Sequence, residues 1–547
     1  MSFEILDRDL LGRIGKFKTK QGVIETPLFL PVVNPLKQVL SPQEMARDFK
    51  CQAIITNAYL LKKNFEEEVK AKGIHDFLTF NRTVMTDSGA YQLLTYGQVN
   101  ISPEEIVQFE EEINTDIAVI LDIPTGWNAK WERAEYTVKE TLRRAQLTFN
   151  LLTRKDILWV GPIQGGNHLD LVAYSAVEIG KMPFHIYALG SPTQVMERYL
   201  FNFLVDMIMT AKRNLPVEKP LHLFGAGHPF MLSFAVALGC DIFDSAAYAI
   251  FAREGKYLTD YGTLKLKDLE YFSCTCNVCS RFTPKELQTM DPKERICLLT
   301  WHNLGTCFTE IKRIKQAIRE GRLWELLELR ARSHPHLFSA FMKLKSYQEY
   351  IEGFTPISKK KGFLYFDSMG LARPEIFRYR KKLREWSPPT KSEILVLLPR
   401  PNAKPFHSSR EFKKIKELII KVIGDKILQI DFCFYSAPFG IIPLELDEVY
   451  PLSQFEMSIP IDYGTIEYVI EQVQDYLLRQ GRKYQHVLLH PDVIFGNKII
   501  DVCRKTCQVL GIDFQTSTEE GRIWSKKAIE DLIGKIEDLQ RVCNSGD

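Results

Sequence analysis

Between residues 50 and 250 the chain alternates short apolar runs with longer amphipathic stretches. The runs QAIITNAYL, TVMTDSG, DIAVILDIP, ILWVGPIQGG, HIYALGSP, PLHLFGAG and CDIFDSAAY are almost continuously hydrophobic, the signature of strands buried on both faces of a parallel sheet. Helical segments separate most of them. In SPEEIVQFEEEI, Ser102 stands at the cap, Pro103 takes the first helical position and Glu105 completes a capping box. AKWERAEYTVKETLRRAQLTFNLL and PTQVMERYLFNFLVDMIMTAK are longer and amphipathic. Seven strand–helix units are visible, with room for an eighth. This repeat predicts an α/β fold of the (β/α)8 TIM-barrel class rather than an open sheet.

After about residue 345 the rhythm changes. TPISKKKGF reads as a linker. EILVLLP, LQIDFCFYS and HVLLH read as strands, and REFKKIKELIIKV and KIIDVCRKTCQVL as helices. The expected organisation is a barrel over residues 1–350 and a smaller C-terminal α/β region over 351–547, with room for two subdomains. The final stretch, TEEGRIWSKKAIEDLIGKIEDLQRVCNSGD, reads as helical and polar.

Composition adds little to this picture until charge is resolved by region. The 547 residues are 45% hydrophobic and 25% charged, which is ordinary for a globular chain. The start, MSFEILDRDLLGRIGKF, lacks the apolar centre of a signal peptide. The longest apolar stretch, FMLSFAVALGC, is too short to span a bilayer. With eleven cysteines, the expected location is a reducing cytoplasm. The net charge is +3, but between Lys359 and Lys426 there are 18 Lys and Arg against 7 Asp and Glu. The block nets about +11 and the rest of the chain about −8. Such a block is either a solvated helical surface or the contact face for a polyanion.

The candidate chemistry lies where the apolar runs stop. Asp87, Asp122, Gln164, Gly190, Gly225 and Asp244 end six of them. In a (β/α)8 barrel the C-terminal strand ends converge on one mouth, where active sites are built. A single Asp in such a place commonly caps the next helix, but three acids and an amide on buried strands point to a site. Several acids in one mouth imply a division of labour between nucleophile and general acid/base. Two carboxylates flanking a sugar C1′ can exchange its substituent through a covalent intermediate with retention. A third carboxylate is acceptor-only, and so matches the N1–H and N2–H edge of guanine. Gln164 has a donor for O6, and Tyr91 and Phe224 stand where rings could sandwich a purine.

Downstream, SCTCNVC supplies Cys274, Cys276 and Cys279, and TWHNLG supplies His302. Three thiolates and an imidazole make a closed tetrahedral Zn2+ site, one per chain, with no open position for a metal-bound water. The expected role is structural, over segment 274–302. Cys297 and Cys307 flank His302 in sequence and are the rival ligands.

TDSGAYQ, GPIQGG, LFGAGHP, FDSAAYA and the Cys-x-Cys-x2-Cys run with a distant His closely resemble the tRNA-guanine transglycosylases. FDSAAYA, ALGSP and GIHDFLTF look like the archaeal branch, which serves archaeosine biosynthesis. The resemblance covers roughly residues 5–350 and continues faintly through ILVLLP. It implies exchange of guanine at position 15, in the D arm of tRNA, for 7-cyano-7-deazaguanine. By motif match it implies Asp244 as nucleophile on ribose C1′ and Asp87 as general acid/base. Asp122 and Gln164 fall at base-recognition positions, and Tyr91 and Phe224 at stacking positions. Ser88 sits beside Asp87 in the motif. Gly190 and Ser191 fall where backbone amides meet the base, with Ser191 replacing a glycine of the bacterial pattern. The resemblance further implies a homodimer. Many relatives end in a small RNA-binding β-barrel, the PUA domain, which is not recognisable here. A separate PUA-type subunit or the basic block would then carry part of the tRNA contact. The rivals are a queuosine-type exchange at the anticodon wobble guanine, a non-catalytic tRNA-binding subunit, and a metal-dependent hydrolase or deaminase. The last needs an open metal position that Cys3His does not leave.

Overall fold

The computed structural model describes residues 3–90, 101–388, 392–518 and 523–545. The chain divides into two compact units, Met1–Tyr347 with Phe354–Pro356, and Gln348–Gly353 with Ile357–Asp547.

The first unit opens with an antiparallel meander, β1 (Glu4–Asp9), β2 (Gly12–Thr19) and β3 (Gly22–Thr26). A closed barrel follows. Its strands, in chain order around the ring, are β4 (Leu28–Val33), β5 (Ala53–Asn57), β6 (Thr83–Asp87), β7 (Ile117–Val119), β8 (Leu158–Ile163), β9 (Ile186–Leu189), β10 (Leu221–Leu223) and β11 (Ile242–Ser245). Every pairing is parallel, and β11 closes on β4 with Asp244 opposite Leu30. The seven apolar runs of the sequence are β5 to β11. The eighth strand is LFLPVV, where Pro31 sits inside the strand opposite Ser245; it precedes residue 50 and so lies outside the alternating stretch.

The helices between strands start as their sequences dictate. Ser102 accepts a hydrogen bond from the Glu105 amide, and the Glu105 carboxylate accepts one from the Ser102 amide. The barrel interior is packed by Leu30, Ile55, Met85, Val119, Val160, Ala188 and Ile242. Phe17 and Ile24 of the meander join the same cluster, so side chains close the N-terminal end of the barrel. The C-terminal end is left as the mouth. After the barrel come a short hairpin, β12 (Lys256–Leu258) with β13 (Thr263–Lys265), and a long helix, Pro292–Glu320.

The second unit is built on a five-stranded sheet. β15 (Ile394–Pro399) lies at its centre between β16 (Ile430–Ser436) and β19 (His486–Leu489). The edges are β17 (Gly440–Pro443), antiparallel, and β20 (Asp513–Thr516), parallel. A separate parallel pair joins β14 (Phe363–Tyr365) to β18 (Phe455–Met457). One hydrophobic core, including Val396, Phe434, Val473, Leu488 and Ile536, runs through this unit. The C-terminal helix, Lys526–Ser545, is amphipathic rather than polar throughout: Ile529, Leu532, Ile536 and Leu539 are buried. In the helix Arg410–Ile423, Phe412, Ile415 and Ile419 face the core while Lys413, Lys414 and Lys416 are exposed. Not all of the basic block is surface. Lys359 pairs with Glu375 at 2.6 Å, and Arg373 lies 3.5 Å from the same carboxylate, all three side chains being buried. No described helix is long and apolar enough to cross a membrane.

Candidate active site

Asp87, Asp122, Gln164, Gly190, Phe224 and Asp244 all line one cavity of about 780 Å³ at the barrel mouth, within the size range of small-molecule sites. Each comes from a different strand end, so the closed barrel brings together residues as far apart as 87 and 244. Three carboxyl groups share this space, and none forms an ion pair with Lys or Arg among the described residues.

Asp87 ends β6 and accepts a hydrogen bond from the Asn57 side-chain amide at 3.1 Å. Asn57 ends β5, and its own oxygen caps the following helix through the Leu60 amide at 2.9 Å. Burial, and then the neighbouring Asp122 and Asp244 charges, push the Asp87 carboxyl up to about 7. Asp122 is buried and accepts from Gln164 Nε2 at 2.5 Å. Burial raises it to about 6, with the Gln164 hydrogen bond opposing. Gln164 is fixed from its other side, since its Oε1 accepts from the Thr125 amide at 2.9 Å and from Ser191 Oγ at 3.1 Å. A side chain at Gly190 would collide with the Gln164 amide, which is why glycine stands there.

Asp244 sits near the end of β11. Its Oδ1 accepts two hydrogen bonds, from the Gly225 amide at 2.9 Å and from His222 Nε2 at 2.9 Å. Gly225 reaches this position with φ +66°, a left-handed conformation that favours glycine. Oδ2 accepts no hydrogen bond among the described residues. Phe224 lines the cavity with its ring edge-on to His222, centroids 4.6 Å apart. Ser88 is placed differently from its neighbours. It is fully buried, and its hydroxyl donates to the Ile120 carbonyl at 3.1 Å, so it ties β6 to the segment after β7 and does not line the cavity. Tyr91 lies outside the described residues.

The second cluster is Cys274, Cys276, Cys279 and His302, whose ligand atoms all lie within 4.8 Å of one another. His302 presents Nδ1 to the thiols, 3.5 Å from Cys276 and 3.4 Å from Cys279. Its Nε2 donates to the Leu258 carbonyl at 2.9 Å, the orientation that a metal-bound imidazole takes from an outer partner. Tyr257 stacks on the ring at 3.8 Å. These residues can hold a metal ion. Cys297 and Cys307 stand apart from the cluster, because five residues along a helix is about 140° of rotation; the Cys307 thiol instead faces the Gly227 carbonyl.

A family model described as Queuine tRNA-ribosyltransferase matches residues 8–336. The chain belongs to this family. Proteins named tRNA-guanine(15) transglycosylase resemble it over most of its length. That of Methanococcus aeolicus is 44% identical over 463 residues, 83% of this chain and 68% of its own. That of Methanocaldococcus jannaschii is 42% identical over 472 residues, 85% and 70%. That of Pyrobaculum aerophilum is 44% identical over 461 residues, 83% and 90%. A second model, described as Domain of unknown function (DUF5591), matches residues 376–536. Within this queuine tRNA-ribosyltransferase barrel, two groups at the mouth escaped the sequence reading. His222 falls inside the run PLHLFGAG and Asn57 inside QAIITNAYL, and neither is among the residues singled out at the strand ends. The signal that marks both is a polar residue on the inward face of a barrel strand, which becomes visible once register is known.

Proposed function

We propose that this chain exchanges the guanine at position 15 of tRNA for 7-cyano-7-deazaguanine through a covalent aspartyl-ribose intermediate. The observation that carries the proposal is the meeting of three carboxyl groups in one cavity, none paired with Lys or Arg among the described residues, with Asp244 tied through Oδ1 and accepting no hydrogen bond at Oδ2 from those residues. Asp244 Oδ2 attacks ribose C1′, the bond from C1′ to N9 of guanine breaks, and its electron pair leaves with the base. Asp87, protonated up to about pH 7, gives its proton to the departing guanine. The incoming base returns a proton to Asp87, its N9 attacks C1′, and the Asp244 carboxylate departs. Two displacements at one carbon retain configuration, and the proton taken equals the proton given.

Recognition follows from the same geometry. Asp122, with a value of about 6, is ionised at neutral pH and accepts the N1–H and N2–H pair of guanine. Gln164 spends one amide hydrogen on Asp122 and keeps the second for O6. Phe224 supplies an apolar face for the base, and the backbone at Gly190 and Ser191 completes the rim. The Cys274, Cys276, Cys279 and His302 set fits Zn2+. Bound there it would join the segment after β13 to the helix Pro292–Glu320, and four protein ligands leave it no part in the exchange.

The test is incorporation of radiolabelled guanine into unmodified tRNA, with position 15 replaced in one substrate and the anticodon wobble base in another. Wild type incorporates label, and loses it only when position 15 is replaced; loss on wobble replacement would mean a queuosine-type exchange. Asp244→Asn neither incorporates label nor forms a denaturant-resistant adduct with tRNA. Label entering through Asp244→Asn would overturn the covalent mechanism.

A further inference from the structure

His222 occupies a place in the barrel that a hydrocarbon side chain normally fills. It lies on β10 opposite Ala188 of β9 and Ile242 of β11, both members of the packed interior. It is completely buried. An imidazole in that layer loses its hydration, and the structure does not restore all of it: Nδ1 has no hydrogen-bond partner among the described residues. The other nitrogen, Nε2, lies 2.9 Å from Asp244 Oδ1. A carboxylate only accepts hydrogen bonds, so the ring hydrogen of this contact is on Nε2. The Phe224 ring packs edge-on against the imidazole and limits its rotation.

We propose that His222 is a positioning residue for the nucleophile, an inference that rests on the transglycosylase reading above. His222 and the Gly225 amide hold Oδ1 from two directions, which fixes the carboxylate plane and turns Oδ2 toward the cavity. When Oδ2 bonds to C1′, Oδ1 becomes the carbonyl oxygen of the ester and keeps the same two donors. When the second base attacks C1′, the same donors receive the returning negative charge. His222 touches neither base nor ribose. Its contribution is to the chemical steps, leaving tRNA affinity unaltered.

The experiment compares full-length wild type with His222→Met and His222→Gln in steady-state guanine exchange and in single-turnover adduct formation. Methionine fills an irregular core space but has no donor, whereas the glutamine Nε2 can take the place of the imidazole Nε2. His222→Met should lower kcat and the rate of adduct formation by about 10²-fold, the scale of a misplaced reacting group. KM for tRNA should stay within about threefold, and His222→Gln should recover most of the lost rate, as expected when a single donor fixes the geometry. If His222→Met does not fold, His222→Gln is set against His222→Asn, whose amide falls one methylene short; a faster Gln variant supports the proposal and equal rates overturn it. Wild-type kcat in His222→Met, or a KM rise with kcat intact, overturns it too. Failure of the wild type itself to exchange guanine would fall on the transglycosylase reading instead.

Discussion

The two ends of the barrel treat the same functional group in opposite ways. Asp241 and Asp244 are separated by two residues at β11, yet Asp241 belongs to the closed N-terminal end and Asp244 to the mouth. Asp241 is held bidentately by Arg13, with Nε and Nη2 each at 2.8 Å, and it also accepts from the Leu221 amide at 2.8 Å. Asp116 and Asp9 at the same end are buried and tied to the amides of Val84 and Leu323. At the mouth, Asp87, Asp122 and Asp244 face one another and receive hydrogen bonds from amides and one imidazole. Arg13 neutralises Asp241 at the closed end, whereas at the mouth burial raises Asp87 and Asp122, with no Lys or Arg paired to them among the described residues. This is the division between stability and chemistry expected of the two faces of such a barrel.

The comparison can be broken most directly at β11. Asp241→Ala leaves the Arg13 charge buried without its partner, and should cost the first unit about 3–5 kcal/mol in urea denaturation, with exchange per folded molecule preserved. Asp244→Asn should show the reverse, with exchange abolished and stability unchanged or higher. Next in size is the metal cluster. Cys276→Ser, or a chelator, should remove bound metal and lower Tm by about 3 °C, roughly what 2 kcal/mol gives in a unit of this size. Exchange measured well below the transition should persist, since no ligand reaches the mouth.

The pH dependence sharpens the contrast. On the proposed mechanism Asp87 acts as an acid in the free enzyme, so kcat/KM for tRNA should fall about tenfold per pH unit above about 7, the value to which its environment raises it. The linked effect on stability has a definite sign. A carboxyl raised in the folded state gives its full contribution below its ordinary value of 3.8 and loses it as pH climbs to about 7. Asp87→Asn escapes that loss, so its Tm advantage over wild type should grow from pH 5 to pH 8. A constant or shrinking advantage would mean that Asp87 is ionised throughout. The smallest effect belongs to the second unit. Replacing exposed Lys413, Lys414 and Lys416 with Gln should weaken tRNA binding and reduce the salt slope by roughly 0.7–0.9 per lost phosphate contact. An unchanged slope would remove that helix from the RNA surface.

The barrel was legible in the sequence because seven of its strands stand out as nearly continuous apolar runs, β8 among them despite Pro162. The eighth, β4, is equally apolar but stands ahead of residue 50, outside the alternating stretch. The ends of the strands were legible for a chemical reason: an aspartate after an apolar run is costly enough to stand out. What sequence could not resolve was direction. Ser88 adjoins Asp87, yet adjacent residues on a strand face opposite ways, and Ser88 turns into the wall. His222 is two residues before Phe224 and points inward, but a histidine among apolar neighbours reads as core until its partner on the next strand is known. The basic block was correctly seen as a charge excess, although Lys359 and Arg373 are spent on Glu375 inside the fold.

Phe17 and Ile24, the side chains that stopper the barrel from below, also dictate traffic. With that end sealed, the proposed mechanism has purines arrive and leave through the mouth, with the polynucleotide anchored across it while its ribose is bonded to Asp244. The proposed covalent mechanism predicts ping-pong kinetics, with free guanine competing against the incoming base for the vacated seat.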